Sequence, residues 1–162
     1  MIVIGVDPGT RFTGFGIIQL VNNTHKVLDF GVITPPSKAP LEKRYLAIFL
    51  ALEHLIDKYK PISLAVETQY VDKNVQSAIK LGMARGVCVL AGAKADLQIS
   101  EYSPTMTKKA VVGNGHASKK QMQKMIQLLL NIKEDLKEDA ADALALALCH
   151  LHSRHLENLY RR

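Results

Sequence analysis

Apolar positions in the first fifth of the chain follow the two-residue rhythm of half-buried strands. Ile2 to Asp7 is a largely β-branched run, and Phe12 to Leu20 continues through Phe15, Ile17 and Ile18, so two strands flank the turn Asp7-Pro8-Gly9-Thr10. A third strand fits Val27 to Ile33, after which Pro35, Pro36 and Pro40 interrupt any ladder. Beyond them the period changes. Tyr45, Phe49, Leu52, Ile56 and Tyr59 recur every three or four residues, which predicts a helix over Leu41 to Tyr59, closed by Pro61. Ile62 to Val66 reads as a short buried strand, and a polar segment leads to a helix from Val75 to Ala95 and a fifth strand over Leu97 to Tyr102.

In the last third, Ser118 with Gln121 forms a capping-box signature ahead of a face made by Met122, Met125, Ile126 and Leu129. The final helix, from about Glu138 to His152, is rich in alanine (Ala140, Ala141, Ala143, Ala145, Ala147), which favours helicity and permits close backbone packing. The order βββαβαβ followed by helices predicts an α/β fold, a five-stranded mixed sheet with helices on both faces. No repeat or linker divides the chain, so residues 1–155 are expected to form one domain and 156–162 a basic, frayed tail.

Composition narrows the partner. Lys and Arg number 21 against 15 Asp and Glu, for a net charge of +6, and this balance favours a polyanion. Cys88 and Cys149 lie far apart in apolar stretches without a C-x-x-C pair, which argues against a disulfide framework or structural zinc. No apolar run reaches membrane-spanning length, and no basic, cleavable leader precedes Ile2, so the expectation is a cytoplasmic protein without a membrane partner.

The chemistry resides in acids. Asp7 ends the first strand and Glu67 follows the fourth. If those strands are parallel neighbours joined by a right-handed crossover, both carboxylates open into one crevice at the strands' carboxyl ends. Asp139 and Asp142, three apart, share a helix face near its N-terminus. Four such anions repel one another unless protonated or neutralised. Carboxylate oxygens suit magnesium or manganese, and two ions about 3.5–4 Å apart support phosphodiester hydrolysis. Singly, Glu67, Asp139 and Asp142 also read as caps or solvated charges, whereas Asp7, behind apolar and glycine residues in a hairpin core, is costly there without a partner or metal. Lys73, Lys80, Arg85, Lys108, Lys109, Lys119, Lys120 and Lys124 flank the acid-bearing segments and suit phosphate contacts.

These residues resemble a known family, the RuvC Holliday-junction resolvases. The resemblance rests on Ile4-Gly5-Val6-Asp7-Pro8-Gly9-Thr10 with Thr13-Gly14-Phe15-Gly16, on Ala65-Val66-Glu67, and on Lys73-Asn74 through Arg85-Gly86. Val111 through Gln121 and Asp139-Ala140-Ala141-Asp142-Ala143-Leu144-Ala145 complete it, in order, over almost the whole chain. It implies an RNase H-like fold, a homodimer, Mg2+-dependent or Mn2+-dependent cleavage with two ions per site, and four-way junction DNA as substrate. It also implies paired, symmetric cuts that leave ligatable nicks, and association with a RuvA–RuvB type branch-migration complex. Asp7, Glu67, Asp139 and Asp142 match the family's catalytic acids, and Lys108 and Lys119 match basic residues acting at the cleavage site. Tyr70 departs from the phenylalanine the family commonly places there, although tyrosine can also stack on a base.

Three other signals stand outside these blocks. Gly82-Met83-Ala84-Arg85-Gly86 permits close helix packing, either internal or across a two-fold dimer, and the resemblance favours the dimer. His150, His152 and His155 beside Cys149 match no standard zinc spacing and are expected in a solvated, partly frayed tail. His116 lies in a basic loop within reach of DNA. The rival classes are an actin-like ATPase or sugar kinase, which needs two domains, an RNase H-like nuclease on a different branched or RNA substrate, and a non-catalytic junction-binding protein.

Overall fold

The computed structural model describes residues 1–68 and 74–160, with side chains through 154. Strands β1 (Ile2–Asp7), β2 (Thr13–Val21) and β3 (Thr24–Ile33) form an antiparallel meander. Helix α1 (Leu41–Tyr59) then crosses to β4 (Ser63–Glu67), parallel to β1, and α2 (Val75–Lys94) leads to β5 (Gln98–Tyr102), parallel to β4. The sheet order is β3-β2-β1-β4-β5, the mixed five-stranded arrangement expected. Helices α3 (Pro104–Val112), α4 (Lys119–Leu129) and α5 (Glu138–Tyr160) follow.

Alternation along the central strands sends side chains to two cores. Ile4, Val6, Leu64 and Val66 pack with α1 and α2, whereas Val3, Ala65 and Ile18 pack with α3, α4 and α5. Helices therefore cover both faces.

Three local features depart from expectation. The β2–β3 connection is a two-residue turn in which Asn22 and Asn23 have φ of 49° and 60°, the geometry of a primed hairpin turn, so both strands run into it and β3 begins at Thr24. Helix α3 occupies a stretch where apolar periodicity suggests no element. Its signal is punctuation: the Ser103 side chain accepts from the Met106 amide, Pro104 opens the first turn, and Gly113 closes the helix at φ 78°. Helix α5 continues past His152 to Tyr160, because no glycine or proline after Gly115 stops it. The capping box at Ser118 and Gln121 is present in full.

What positions the site is the close seating of α5 on the sheet. A Cβ on Gly5 would collide with the carbonyl oxygen of Ala143 and approach the Ala147 nitrogen to 2.8 Å, and one on Gly14 would collide with the Asp139 carbonyl. Bare backbone on β1 thus meets Ala143 and Ala147, and that on β2 meets the Asp139 backbone, so the acidic first turn of α5 comes down beside the end of β1. Cys88 and Cys149 are buried free thiols, and no helix among the described residues is long and apolar enough to cross a membrane.

Candidate active site

Asp7 and Glu67 end adjacent parallel strands, whose register pairs Val6 with Val66 and so brings the two carboxyls to the same edge. On β1's other side Asp7 pairs with Gly14, the residue on which the Asp139 backbone rests. One turn of α5 separates Asp139 from Asp142. Asp7, Glu67 and Asp142 line a single cavity of about 370 Å³, together with Lys108, Lys119, Thr107, Pro104, Met122 and Leu146. Asp139 is absent from that lining yet close enough to raise the pKa of both Asp7 and Asp142.

The electrostatics are those of an anion cluster held partly out of water. Burial, then repulsion from Asp142, Glu67 and Asp139, pushes the Asp7 carboxyl up to about 8. Burial pushes Asp142 up to about 6, with Glu138 and Asp139 adding to the rise and Lys119 and Lys108 opposing it. Glu67 is raised by burial and Asp142 and relieved by the same two lysines. Lys119, at the first position of α4, is ion-paired with Glu138, and this contact, with Asp142 and Asp7 behind it, raises its ammonium above the usual lysine value.

Among the described residues, no three histidine, cysteine, aspartate or glutamate side chains stand so placed as to hold a metal ion between them. The donor set nevertheless fits a hard divalent cation: oxygen ligands only, sharing a cavity, with raised pKa values that a cation's charge would reverse.

The surroundings brace these groups. Arg85 donates from Nε to the Glu67 carbonyl oxygen and pairs with Glu101 Oε1 at 2.6 Å, tying α2 to the ends of β4 and β5. Arg85, which the sequence also suggests as a DNA contact, thereby braces the Glu67 backbone. Thr107 Oγ1 donates to the Ser103 carbonyl oxygen, fixing the start of α3 beside the cavity. Sequence reading missed the α3 wall, although the Ser103-Pro104 start signal was available.

Lys80, Lys109, Lys120 and Lys124 lie exposed on α2, α3 and α4, outside the cavity. Tyr70 and Lys73 lie outside the described residues, as does the side chain of His155. His116 is exposed, its amide donating to the Asn114 side chain.

The histidines of α5 correct the expectation of a solvated tail. His150 is 1% exposed, with Nδ1 2.9 Å from the Tyr102 hydroxyl, and His152 meets the Ala110 carbonyl and the His25 ring. The continued helix carries both inward against β5, α3 and β3.

The family model for crossover junction endodeoxyribonuclease RuvC matches residues 3–150. This chain belongs to the RuvC family. A RuvC of Protochlamydia amoebophila is 54% identical over 151 residues, covering 93% of this chain and 90% of the relative. A RuvC of Syntrophotalea carbinolica is 47% identical, covering 98% and 99%. The solved structure of Thermus thermophilus RuvC in complex with Holliday junction substrate superposes with a TM-score of 0.90 at 29% identity, covering 97% of this chain and 96% of that one. RuvC membership thus joins an acid-lined cavity and flanking lysines to a fold seen elsewhere on a four-way junction.

Proposed function

We propose that this chain is a structure-specific endodeoxyribonuclease that resolves four-way DNA junctions in recombination and repair by paired, metal-dependent phosphodiester hydrolysis. The observation that carries the reading is the meeting of Asp7, Glu67 and Asp142 with Lys108 and Lys119 in one cavity at the carboxyl ends of the parallel strands, in a RuvC family member.

In this reading Asp7, Glu67, Asp142 and Asp139 hold Mg2+ or Mn2+, two ions per site. When bound, such cations supply Lewis-acid polarisation of the phosphate and lower the pKa of the attacking water. Lys119 and Lys108 offset charge developing on the phosphoryl oxygens, Lys119 exchanging its contact with Glu138 for the substrate. Met122 and Leu146 form the apolar part of the wall and limit water around the reacting group. Arg85 keeps the Glu67 backbone in register.

Symmetric cuts need two sites facing opposed strands, which a two-fold dimer supplies. Helix α2 offers a surface for it: Val75, Ile79, Met83 and Leu90 are exposed along one side, and Gly86 has open space where a Cβ would stand. In the cell the protein would work in the cytoplasm, alongside a RuvA–RuvB type branch-migration complex.

The test is a mobile synthetic four-way junction incubated with the protein, with and without magnesium. Expected are symmetric, ligatable nicks that require the metal and disappear in Asp7→Asn. Equal cleavage of linear duplex, or full activity in Asp7→Asn, would refute the reading.

A further inference from the structure

A second, smaller cavity lies at the same end of the sheet as Asp7, toward α1. It measures about 300 Å³ and is lined by Arg11, Phe12, Thr34, Pro35, Ser37 and Arg44. Strand register explains its location. Asp7 pairs with Gly14, and Thr13 with Ile33, so the end of β1, the start of β2 and the end of β3 stand in a row. Two strand spacings, about 10 Å, separate β1 from β3. That is roughly three base-pair rises along a DNA strand.

The lining has two guanidinium groups and two hydroxyls and, among the described residues, no carboxylate. Arg44 donates one N–H to the carbonyl of Thr10, which ties α1 to the turn following Asp7, while its Nε is buried without a hydrogen-bond partner among the described residues. That Nε is closed off from solvent, so a phosphate oxygen would meet the part of the guanidinium that lines the cavity, in a charge-assisted pair. Arg11 is exposed beside it, and the Phe12 ring is 49% exposed at the same cavity. An apolar ring next to two cations is the combination that suits a nucleotide unit, charged on its phosphate and apolar on its sugar and base faces.

We propose that Arg11 and Arg44, with Thr34 and Ser37, hold a backbone phosphodiester of the DNA a few nucleotides from the one cut, with Phe12 against its sugar or base. The subsite fixes the strand's angle of entry, so the scissile phosphate arrives at Asp7 in register. The proposal rests on the nuclease reading, and its test separates the two.

Junction affinity is measured by fluorescence anisotropy across a salt series, in Mg2+ and in the cleavage-silent Asp7→Asn background. Arg11→Gln and Ser37→Glu should each weaken binding about tenfold, and Arg11→Gln should flatten the slope of log K against log salt by about 0.9, the value for one phosphate no longer neutralised. Phe12→Ala should weaken binding by a similar factor with the slope unchanged. Lys26→Gln, the same removal of charge at the opposite end of β3, should change neither. Arg11 and Phe12 are exposed, so loss of fold does not confound the series.

Parental affinity and slope in both Arg11→Gln and Ser37→Glu would overturn the subsite while leaving the nuclease intact, and so would an equal effect from Lys26→Gln. Competition by inorganic phosphate at constant ionic strength, abolished in Arg11→Gln, would replace the DNA strand with a small anion. Failure of the parental protein to prefer junction over duplex would overturn both readings.

Discussion

Removing the charge of Asp7 should make the metal-free protein more stable while abolishing its activity. In the unfolded chain the carboxyl titrates near 3.8; in the fold burial and the neighbouring acids hold it near 8. Between those values the folded state carries a proton that the unfolded state has lost, so stability falls as pH rises and the loss is complete above the folded pKa. At pH 7 the gap above 3.8 is 3.2 units, which at about 1.36 kcal/mol per unit is roughly 4 kcal/mol. A carboxamide of the same shape retains part of the burial penalty, so about half, ~2 kcal/mol, is expected from Asp7→Asn. For a chain of this size that corresponds to a rise in Tm of about 4–8 °C. The assay is thermal denaturation in chelator from pH 4 to pH 9. The difference between variant and parent should be near zero at the acid end and grow to a plateau above pH 8. Magnesium should then stabilise the parent more than the variant, because only the parent offers the full set of acids. An unchanged Tm in Asp7→Asn at pH 8, or a difference that does not vary with pH, would refute the account of Asp7 as an uncompensated buried acid.

Other perturbations test the surrounding structure. Gly14→Ala forces the Asp139 backbone away from β2 and should cost about 2–3 kcal/mol, read by chemical denaturation, together with a fall in kcat of tenfold or more in the folded fraction. Glu138→Gln frees Lys119 from an exposed ion pair and should tighten junction binding by up to about fivefold, since such pairs contribute 0–1 kcal/mol; anisotropy reads the change. Met83→Asp places a charge in the exposed stripe of α2 and should convert a dimer to monomers in sedimentation, with junctions nicked on one strand rather than two.

Legibility from sequence followed the physics of each signal. The order of strands and the crossovers were readable because period-two and period-3.6 apolar patterns are strong, and two acids at the ends of parallel neighbours needed only the handedness of one crossover to meet. Helix α3 was not readable by periodicity, since Pro104 to Val112 buries only Thr107 and Val111. Its caps carried the information instead. The Asn22-Asn23 hairpin was missed because glycine, not asparagine, is the usual mark of positive φ. The inward histidines had no signal at all. A histidine on an alanine-rich helix face becomes buried only when another element, here β5 with Tyr102, lies against it. Arg85 likewise looked like a surface cation until the fold brought Glu101 and the Glu67 carbonyl to it.

The docking of α5 onto the glycines of β1 and β2 also ties the assembly of the acid cluster to completed folding. A nascent or partly unfolded molecule whose last helix is detached retains Asp7 and Glu67 but lacks Asp139 and Asp142, and with them half of the negative charge that attracts a cation. If the four acids hold the metal as proposed, a molecule in which α5 is detached should be inactive, and activity should return only when the last helix is seated on β1 and β2.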